Sequence, residues 1–231
     1  MFYVTGDTHG SFSHIRRFAR SRDLGTSDTI VSLGDTSLNY HGDERDDKAK
    51  RKLAALPFTL LSLRGNHDRN PLEVDGMETH PWNGGTVQCE PAYPNILYAV
   101  DGSVFDFEGL SVAAIGGAYS VDRGYRLENG YTWFADEQLD DEQKRTVEAA
   151  LEARGWAVDC VLTHTCPKKY LPHEALFDTI DQSTVDDSTE AWLDILEERL
   201  TYRRWYCGHF HIDKTVDRMR FLYRTIEALS V

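Results

Sequence analysis

The chain has 231 residues, 41% of them apolar and 27% charged, a composition typical of a soluble globular protein long enough to bury a substantial core. Its net charge of −13 opposes general attraction to a nucleic-acid backbone or an anionic membrane, and no apolar stretch approaches the length needed to cross a bilayer. Cys89, Cys160, Cys166 and Cys207 show no CxxC pairing, and the start MFYVTGD leaves no room for a secretory signal, so a cytoplasmic protein without a disulfide framework is expected.

Apolar runs and polar connectors alternate through the first part of the chain. They predict a strand over 2–6, a helix over about 12–22, a strand over 29–33, a helix over about 43–55 and a strand over 58–63. Such a βαβα order implies parallel neighbours, because a parallel pair needs a crossover connection, and each crossover is expected to be right-handed. Arg16, Arg17, Arg20 and Arg22 on the first helix read as a solvated face. Residues 70–95 carry four prolines, several glycines and little periodicity, and are expected to form a long loop over the sheet. The runs ILYAV, SVFDF and LSVAAIGG are parted by Asp-Gly and Glu-Gly turn signals and read as antiparallel strands of a second sheet. A helix over 136–154 opens with acidic residues and stops at Gly155, as its dipole and C-terminal cap favour. A strand over 158–163, a helix over 189–200, a strand over 203–207 and two strands within 214–229 complete the prediction. The expected fold class is α/β, with two packed mixed β-sheets forming a sandwich flanked by α-helices. A single domain over 1–231 is expected, because any internal boundary would split the motifs that follow.

Five short motifs collect the polar chemistry: GDTHG at 6–10, GD at 34–35, GNHD at 65–68, TH at 163–164 and GHFH at 208–211. Each follows a predicted strand, and ligand sites in open α/β sheets form beyond the carboxyl ends of strands. Asp7, His9, Asp35, Asn66, His164, His209 and His211 offer three oxygen and four imidazole ligands, a mixture that suits two divalent ions such as Mn²⁺, Fe²⁺, Zn²⁺ or Ni²⁺. A Mg²⁺ or Ca²⁺ site rarely recruits four imidazoles, and a structural Zn²⁺ site more often uses cysteines. Two cations about 3.5 to 4 Å apart can clamp both the attacking and the leaving oxygen of a phosphate ester, while a water between them becomes hydroxide near neutral pH. No side-chain nucleophile is then required, and Cys166 lacks the positioned partners that Cys/His catalysis needs.

The ordered pattern DxH, GD, GNHD, H and GHxH resembles the calcineurin-like metallophosphoesterase family, over essentially the whole chain. The resemblance implies a phosphoesterase with two divalent transition-metal ions, Mn²⁺ being the expected metal. It implies that Asp7, His9, Asp35 and His211 hold one ion and that Asp35, Asn66, His164 and His209 hold the other, with Asp35 bridging. It further implies that His67 donates a proton to the leaving oxygen and that Asp68 hydrogen-bonds His67, keeping it oriented and protonated. His14, His41, His80 and His173 fall outside the pattern; of these, His41 is the one able to approach the site from a loop.

Arg64, directly before GNHD, is similar to an arginine that binds substrate phosphate in protein serine/threonine phosphatases and dinucleoside-tetraphosphate hydrolases. Those subfamilies carry GDxxDRG around the bridging Asp, whereas this chain reads GDTSLNYHGD. The segment GGAYSVDRGYR at 116–126, otherwise a surface hairpin, is expected to place Tyr119 against an aromatic group and Arg123 or Arg126 against phosphate. Trp82, Tyr131 and Trp133 either cap the cleft or pack on the core. The expected activity is that of a phosphomonoesterase, a protein or nucleotide phosphatase acting on a small-molecule or protein phosphate ester, with no membrane association. Phosphodiesterase or nuclease activity, and a catalytically silent scaffold of the same fold, are the alternatives.

Overall fold

The computed structural model describes residues 1–231. In chain order the elements are β1 (Phe2–Thr5), α1 (Ser13–Arg22), β2 (Thr29–Ser32), α2 (Glu44–Ala54), β3 (Thr59–Ser62), β4 (Glu78–Trp82), β5 (Gly85–Cys89), β6 (Ile96–Ala99), β7 (Val104–Phe107), β8 (Leu110–Ile115), α3 (Arg123–Glu128), α4 (Asp141–Glu152), β9 (Cys160–Thr163), α5 (Ser188–Arg199), β10 (Arg204–Cys207), β11 (Lys214–Val216), β12 (Met219–Phe221) and β13 (Ile226–Ala228). One sheet has seven strands in the order β13-β1-β2-β3-β6-β5-β4, and the other six in the order β11-β12-β10-β9-β8-β7. Each is mixed. Strands β1, β2, β3 and β6 run parallel in the first, β8, β9, β10 and β12 in the second, and antiparallel strands close the edges of both.

The near-continuous apolar runs of the inner strands follow from burial on both faces. In the first sheet Tyr3, Ile30, Leu60 and Ile96 are in register and pack outward against Ile15 and Ala19 of α1 and Leu53 of α2. Their neighbours Val4, Val31, Leu61 and Leu97 point inward, where they meet Val112, Ala114, Cys160, Leu162 and Tyr206 of the second sheet. That second sheet turns Ala113, Val161 and Trp205 outward onto Val147 and Leu151 of α4 and Leu193 and Leu196 of α5. The result is a sandwich of two sheets with helices on its outer faces. No helix is long and apolar enough to cross a membrane. All four cysteines are buried as free thiols.

Several elements differ from expectation. Residues 70–95 are no bare loop: β4 and β5 form a hairpin across Asn83 and Gly84, both at positive φ, as the twist of a tight two-residue turn demands. The proline in β4 is tolerated because this is the edge strand of its sheet. Strand β6 joins the first sheet, parallel to β3 and antiparallel to β5, so that only β7 and β8 of the three expected antiparallel strands lie in the second. Helix α4 begins at Asp141, later than expected, because Asp140 and Gln143 close a reciprocal capping box there. The upstream acids are used elsewhere: the Asp136 carboxylate accepts from Asn70 Nδ2 at 3.0 Å, and Glu137 Oε2 accepts from Trp133 Nε1 at 2.9 Å. Residues 123–128 are helical, stabilised by the Arg126–Asp122 pair one turn apart. The tail makes three strands, the last of which crosses back to pair with β1.

Candidate metal centre

The ends of β1, β2 and β3 in one sheet and of β9 and β10 in the other meet at a cleft of about 630 Å³. Asp7 and His9 follow β1, Asp35 follows β2, Asn66 follows β3, His164 follows β9, and His209 and His211 follow β10. Asp7, Asp35, Asn66 and His164 are buried, whereas His9 and His211 are exposed. Glycines permit the close approach of these loops. A Cβ on Gly65 would overlap the Asp35 carboxylate, and one on Gly34, at φ 107°, would overlap the His164 ring. His9, Asp35, His209 and His211 themselves sit at positive φ, so a left-handed kink follows β1, β2 and β10 and turns their donors toward the cleft.

The donor atoms converge closely. His211 Nε2 lies 3.1 Å from Asp7 Oδ2 and 2.9 Å from His9 Nε2. His9 Nε2 is 3.8 Å from Asp35 Oδ2, and His164 Nε2 is 3.7 Å from Asp35 Oδ1. The Asn66 Oδ1 atom lies 2.9 Å from His164 Nε2 and 3.1 Å from His209 Nδ1. Two groups bring three ligand atoms within mutual reach of one ion, Asp7–His9–His211 and Asp7–Asp35–His164, and they share Asp7.

Surrounding groups fix the orientation of these side chains. His164 Nδ1 donates to the Leu33 carbonyl oxygen at 2.6 Å, which leaves the Nε2 lone pair facing the Asn66 and Asp35 oxygens. Asn66 Nδ2 donates to Ser120 Oγ at 2.9 Å, so the amide oxygen is the atom turned toward the imidazoles. Asp7 Oδ1 accepts from the His209 backbone N–H at 2.9 Å, which leaves Oδ2 as the oxygen turned toward His211 and His9.

The electrostatics fit a pair of cations. Burial, and then the Asp7 and Asp68 carboxylates, push the Asp35 carboxyl well above the usual range. Asp7 is equally buried, but the His211 hydrogen bond and the His164 and His211 charges hold it at about 2. Burial lowers His9, and burial followed by the His164 charge lowers His209 to about 3, so both imidazoles are neutral and have lone pairs to offer. Crowded buried carboxylates beside neutral imidazoles lack positive charge, and divalent ions with mixed oxygen and nitrogen preference would supply it.

His67 lies on the cleft wall, but its partner is not the expected one. Asp68 makes no hydrogen bond to it; the Asp68 carboxylate accepts from Ser37 N–H at 2.9 Å, Gly65 N–H at 3.0 Å and Thr36 N–H at 3.2 Å. Asp68 therefore clamps the turn that carries Asp35 to the loop that carries Asn66. Arg126 Nη2 lies 3.2 Å from His67 Nε2, and burial, followed by the Arg126 charge, lowers the imidazole to about 2. His67 is consequently a neutral acceptor here, not a protonated partner of Asp68.

Arg64 is placed outside the cleft. It leaves the strand end on the side of Asp136, whose backbone and carboxylate oxygens accept from Nη1, and of Asp101, 3.9 Å from Nη2. Arg126 does line the cleft, fixed by Asp122 at 2.7 Å and Tyr40 at 3.1 Å. Arg123 instead lies over the Trp133 ring at 4.2 Å, and neither it nor Tyr119 lines the cleft. Trp82 packs on Phe2, Phe105 and Phe107, and Tyr131 stacks on Tyr125. His41 lines a separate surface pocket with Asp43 and Asp46. Cys166 is buried in the apolar core, which raises its thiol well above the usual range. Two features were not anticipated: Ser120 as the group that orients Asn66, and the segment 175–182, whose Ala175, Leu176, Phe177 and Gln182 form a wall of the cleft.

Residues 1–213 match the Calcineurin-like phosphoesterase family, and the chain belongs to that family. Among solved structures, one is 12% identical with a TM-score of 0.52, covering 96% of this chain and 88% of its own. TT1561 of Thermus thermophilus is 13% identical with a TM-score of 0.48, covering 90% of this chain and 80% of its own. Phosphopantetheinyl hydrolase (PptH) from Mycobacterium tuberculosis is 14% identical with a TM-score of 0.45, covering 96% and 87%. No curated protein matches the chain.

Proposed function

We propose that this chain, as one catalytic domain over 1–231, is a dinuclear metal-dependent phosphomonoesterase, with Mn²⁺ as the working metal. One observation carries the reading: oxygen and imidazole donors from five strand ends in two sheets converge on one another at the floor of a single cleft, with Asp7 and His164 buried beneath the donors that line it. Asp7, His9, Asp35 and His211 would hold one ion, and Asp35, Asn66, His164 and His209 the other. Asp35 would be the better bridge although Asp7 is common to both close groups, because its two oxygens diverge, Oδ2 toward His9 and Oδ1 toward His164; each carboxylate also accepts one backbone N–H, Asp35 Oδ1 from His67 and Asp7 Oδ1 from His209. When bound, such ions lower the pKa of water and stabilise charge on phosphoryl oxygens.

The chain's own residues do the remaining work. Arg126 binds the substrate phosphate, its guanidinium already held by Asp122 and Tyr40 so that little freedom is lost on binding. His67 is the cleft imidazole outside the ligand set; with the substrate phosphate sharing the Arg126 Nη2 donor, the freed His67 Nε2 takes a proton from water and passes it to the leaving oxygen. Arg64 gives no reason to favour a phosphoprotein substrate, since it lies outside the cleft with its Nη1 donating to Asp136.

Turnover of p-nitrophenyl phosphate and of its bis ester by the Mn²⁺-loaded protein tests the reading. The monoester is expected to be the better substrate. The reverse preference would make the enzyme a diesterase, and no metal-dependent turnover of either would leave a silent scaffold. His67→Ala is expected to lower kcat about 10²–10⁴-fold for an alkyl phosphate and far less for p-nitrophenyl phosphate, whose leaving group needs no proton.

A further inference from the structure

Six of the fifteen residues lining the cleft are hydrophobic: Val121, Ala175, Leu176, Phe177, Phe210 and Ile212. Phe210 joins this wall to the donor cluster, its ring 4.9 Å from that of His209 and 6.0 Å from that of buried Phe221. Phe177 is 63% exposed, a large ring that folding leaves uncovered at the cleft. The chain leading to it is tethered to α5 and β11. Lys168 pairs with Asp187 at 2.7 Å, the Lys169 N–H donates to Asp194 Oδ1 at 3.1 Å, and Glu174 pairs with Lys214. The exposed ring is therefore presented to the cleft by an anchored stretch of chain.

Positive charge is scarce along the same wall. Arg126 is the one Lys or Arg among the lining residues. The nearby Lys168, Lys169 and Lys214 are matched to Asp187, Glu197 and Glu174. A leaving group bearing further phosphates or carboxylates would meet an apolar surface with no free counterion, and desolvating that charge is costly. The volume of about 630 Å³ is that of a site for a small organic ligand.

We propose that the cleft selects phosphate esters whose alcohol portion is an uncharged aryl group, lying against Leu176, Phe177 and Ile212 while the phosphate faces Arg126 and the donor cluster. This rests on the phosphoesterase reading and names its substrate class. An aromatic ring against Phe177 gains from buried apolar area and from ring–ring packing.

Titration calorimetry of the metal-loaded protein with methylphosphonate, 1-naphthylmethylphosphonate and a carboxylated naphthyl analogue tests it, because none of these can be hydrolysed. The neutral naphthyl ligand is expected to bind about tenfold or more tighter than methylphosphonate, with a negative heat-capacity change, and the added carboxylate to erase that gain. Phe177→Ala should collapse the naphthyl-to-methyl ratio, and Phe177→Leu should restore part of it. Because Phe177 is exposed, neither change removes core packing. Equal affinities for the two neutral ligands, a ratio indifferent to Phe177→Ala, or full retention of binding by the carboxylated analogue would overturn the inference while leaving the phosphoesterase reading intact. If methylphosphonate does not bind and p-nitrophenyl phosphate is not turned over, the phosphoesterase reading fails and takes this inference with it.

Discussion

The Asn66 amide has two ends, and only its oxygen can serve a cation. Ser120 decides which end faces the cleft by accepting from Nδ2 at 2.9 Å, and Ser120 is itself anchored by its N–H on Glu137 Oε1 at 3.0 Å. Ser120→Ala removes that preference, and outer groups of this kind are typically worth about 10- to 100-fold in metal affinity. Equilibrium dialysis with Mn²⁺ is expected to show one weakened ion and one unchanged. Equal retention of both would mean that the imidazoles alone hold Asn66 in place. The sequence made the donor residues legible, since each follows an apolar strand, but it was silent on side-chain direction at single positions. Arg64 and Asn66 are two residues apart around Gly65, yet one turns to Asp136 and the other to His164. Asp68 stands next to His67 and serves the backbone of a different loop. Adjacency in sequence does not fix which neighbour a carboxylate selects.

Among the elements, α3 shows how secondary structure sorts two arginines that read alike in sequence. Arg126 reaches His67 and the cleft, whereas Arg123 is spent on Trp133. Arg126→Ala is expected to raise KM for phosphate monoesters about 10- to 100-fold, the usual worth of a hydrogen bond to a charged group. Arg123→Ala should leave KM near its starting value. Steady-state kinetics on the two variants would expose a misplaced assignment if Arg123→Ala had the larger effect. The elements themselves were legible where periodicity was strong. The inner strands appear close to their expected positions, because burial on both faces writes an apolar run into the sequence. The β4–β5 hairpin was not legible because ETHPW is polar, proline-bearing and confined to an edge. The cleft wall at 175–182 was not legible either, as it follows a stretch pinned to α5 and β11 by Lys169 and Glu174 and has no local periodicity of its own.

At the scale of the whole molecule, the donor set is divided between the sheets. Asp7, His9, Asp35 and Asn66 belong to the first, and His164, His209 and His211 to the second. Ions bound across that division would hold the sheets together and relieve the crowding of Asp7, Asp35 and Asp68. A ligand at about 100 times its dissociation constant adds about 2.7 kcal/mol to stability, which for a chain of this size corresponds to about 5–10 °C in Tm. Chelator treatment followed by calorimetry is expected to show a loss of that order, reversed by adding Mn²⁺. A melting temperature indifferent to chelation would argue against ions bridging the two sheets.

The four buried thiols give the fold a set of internal clocks. Cys160 lies between the two sheets, Cys166 and Cys207 lie in the core beneath α4 and α5, and Cys89 closes β5 near the edge hairpin. None can meet a thiol reagent until its own layer opens, so the order in which they are labelled reports which interface parts first. Early modification at Cys89 would record fraying of the hairpin edge, whereas modification at Cys160 would date the separation of the sheets and, with it, the dismantling of the cleft.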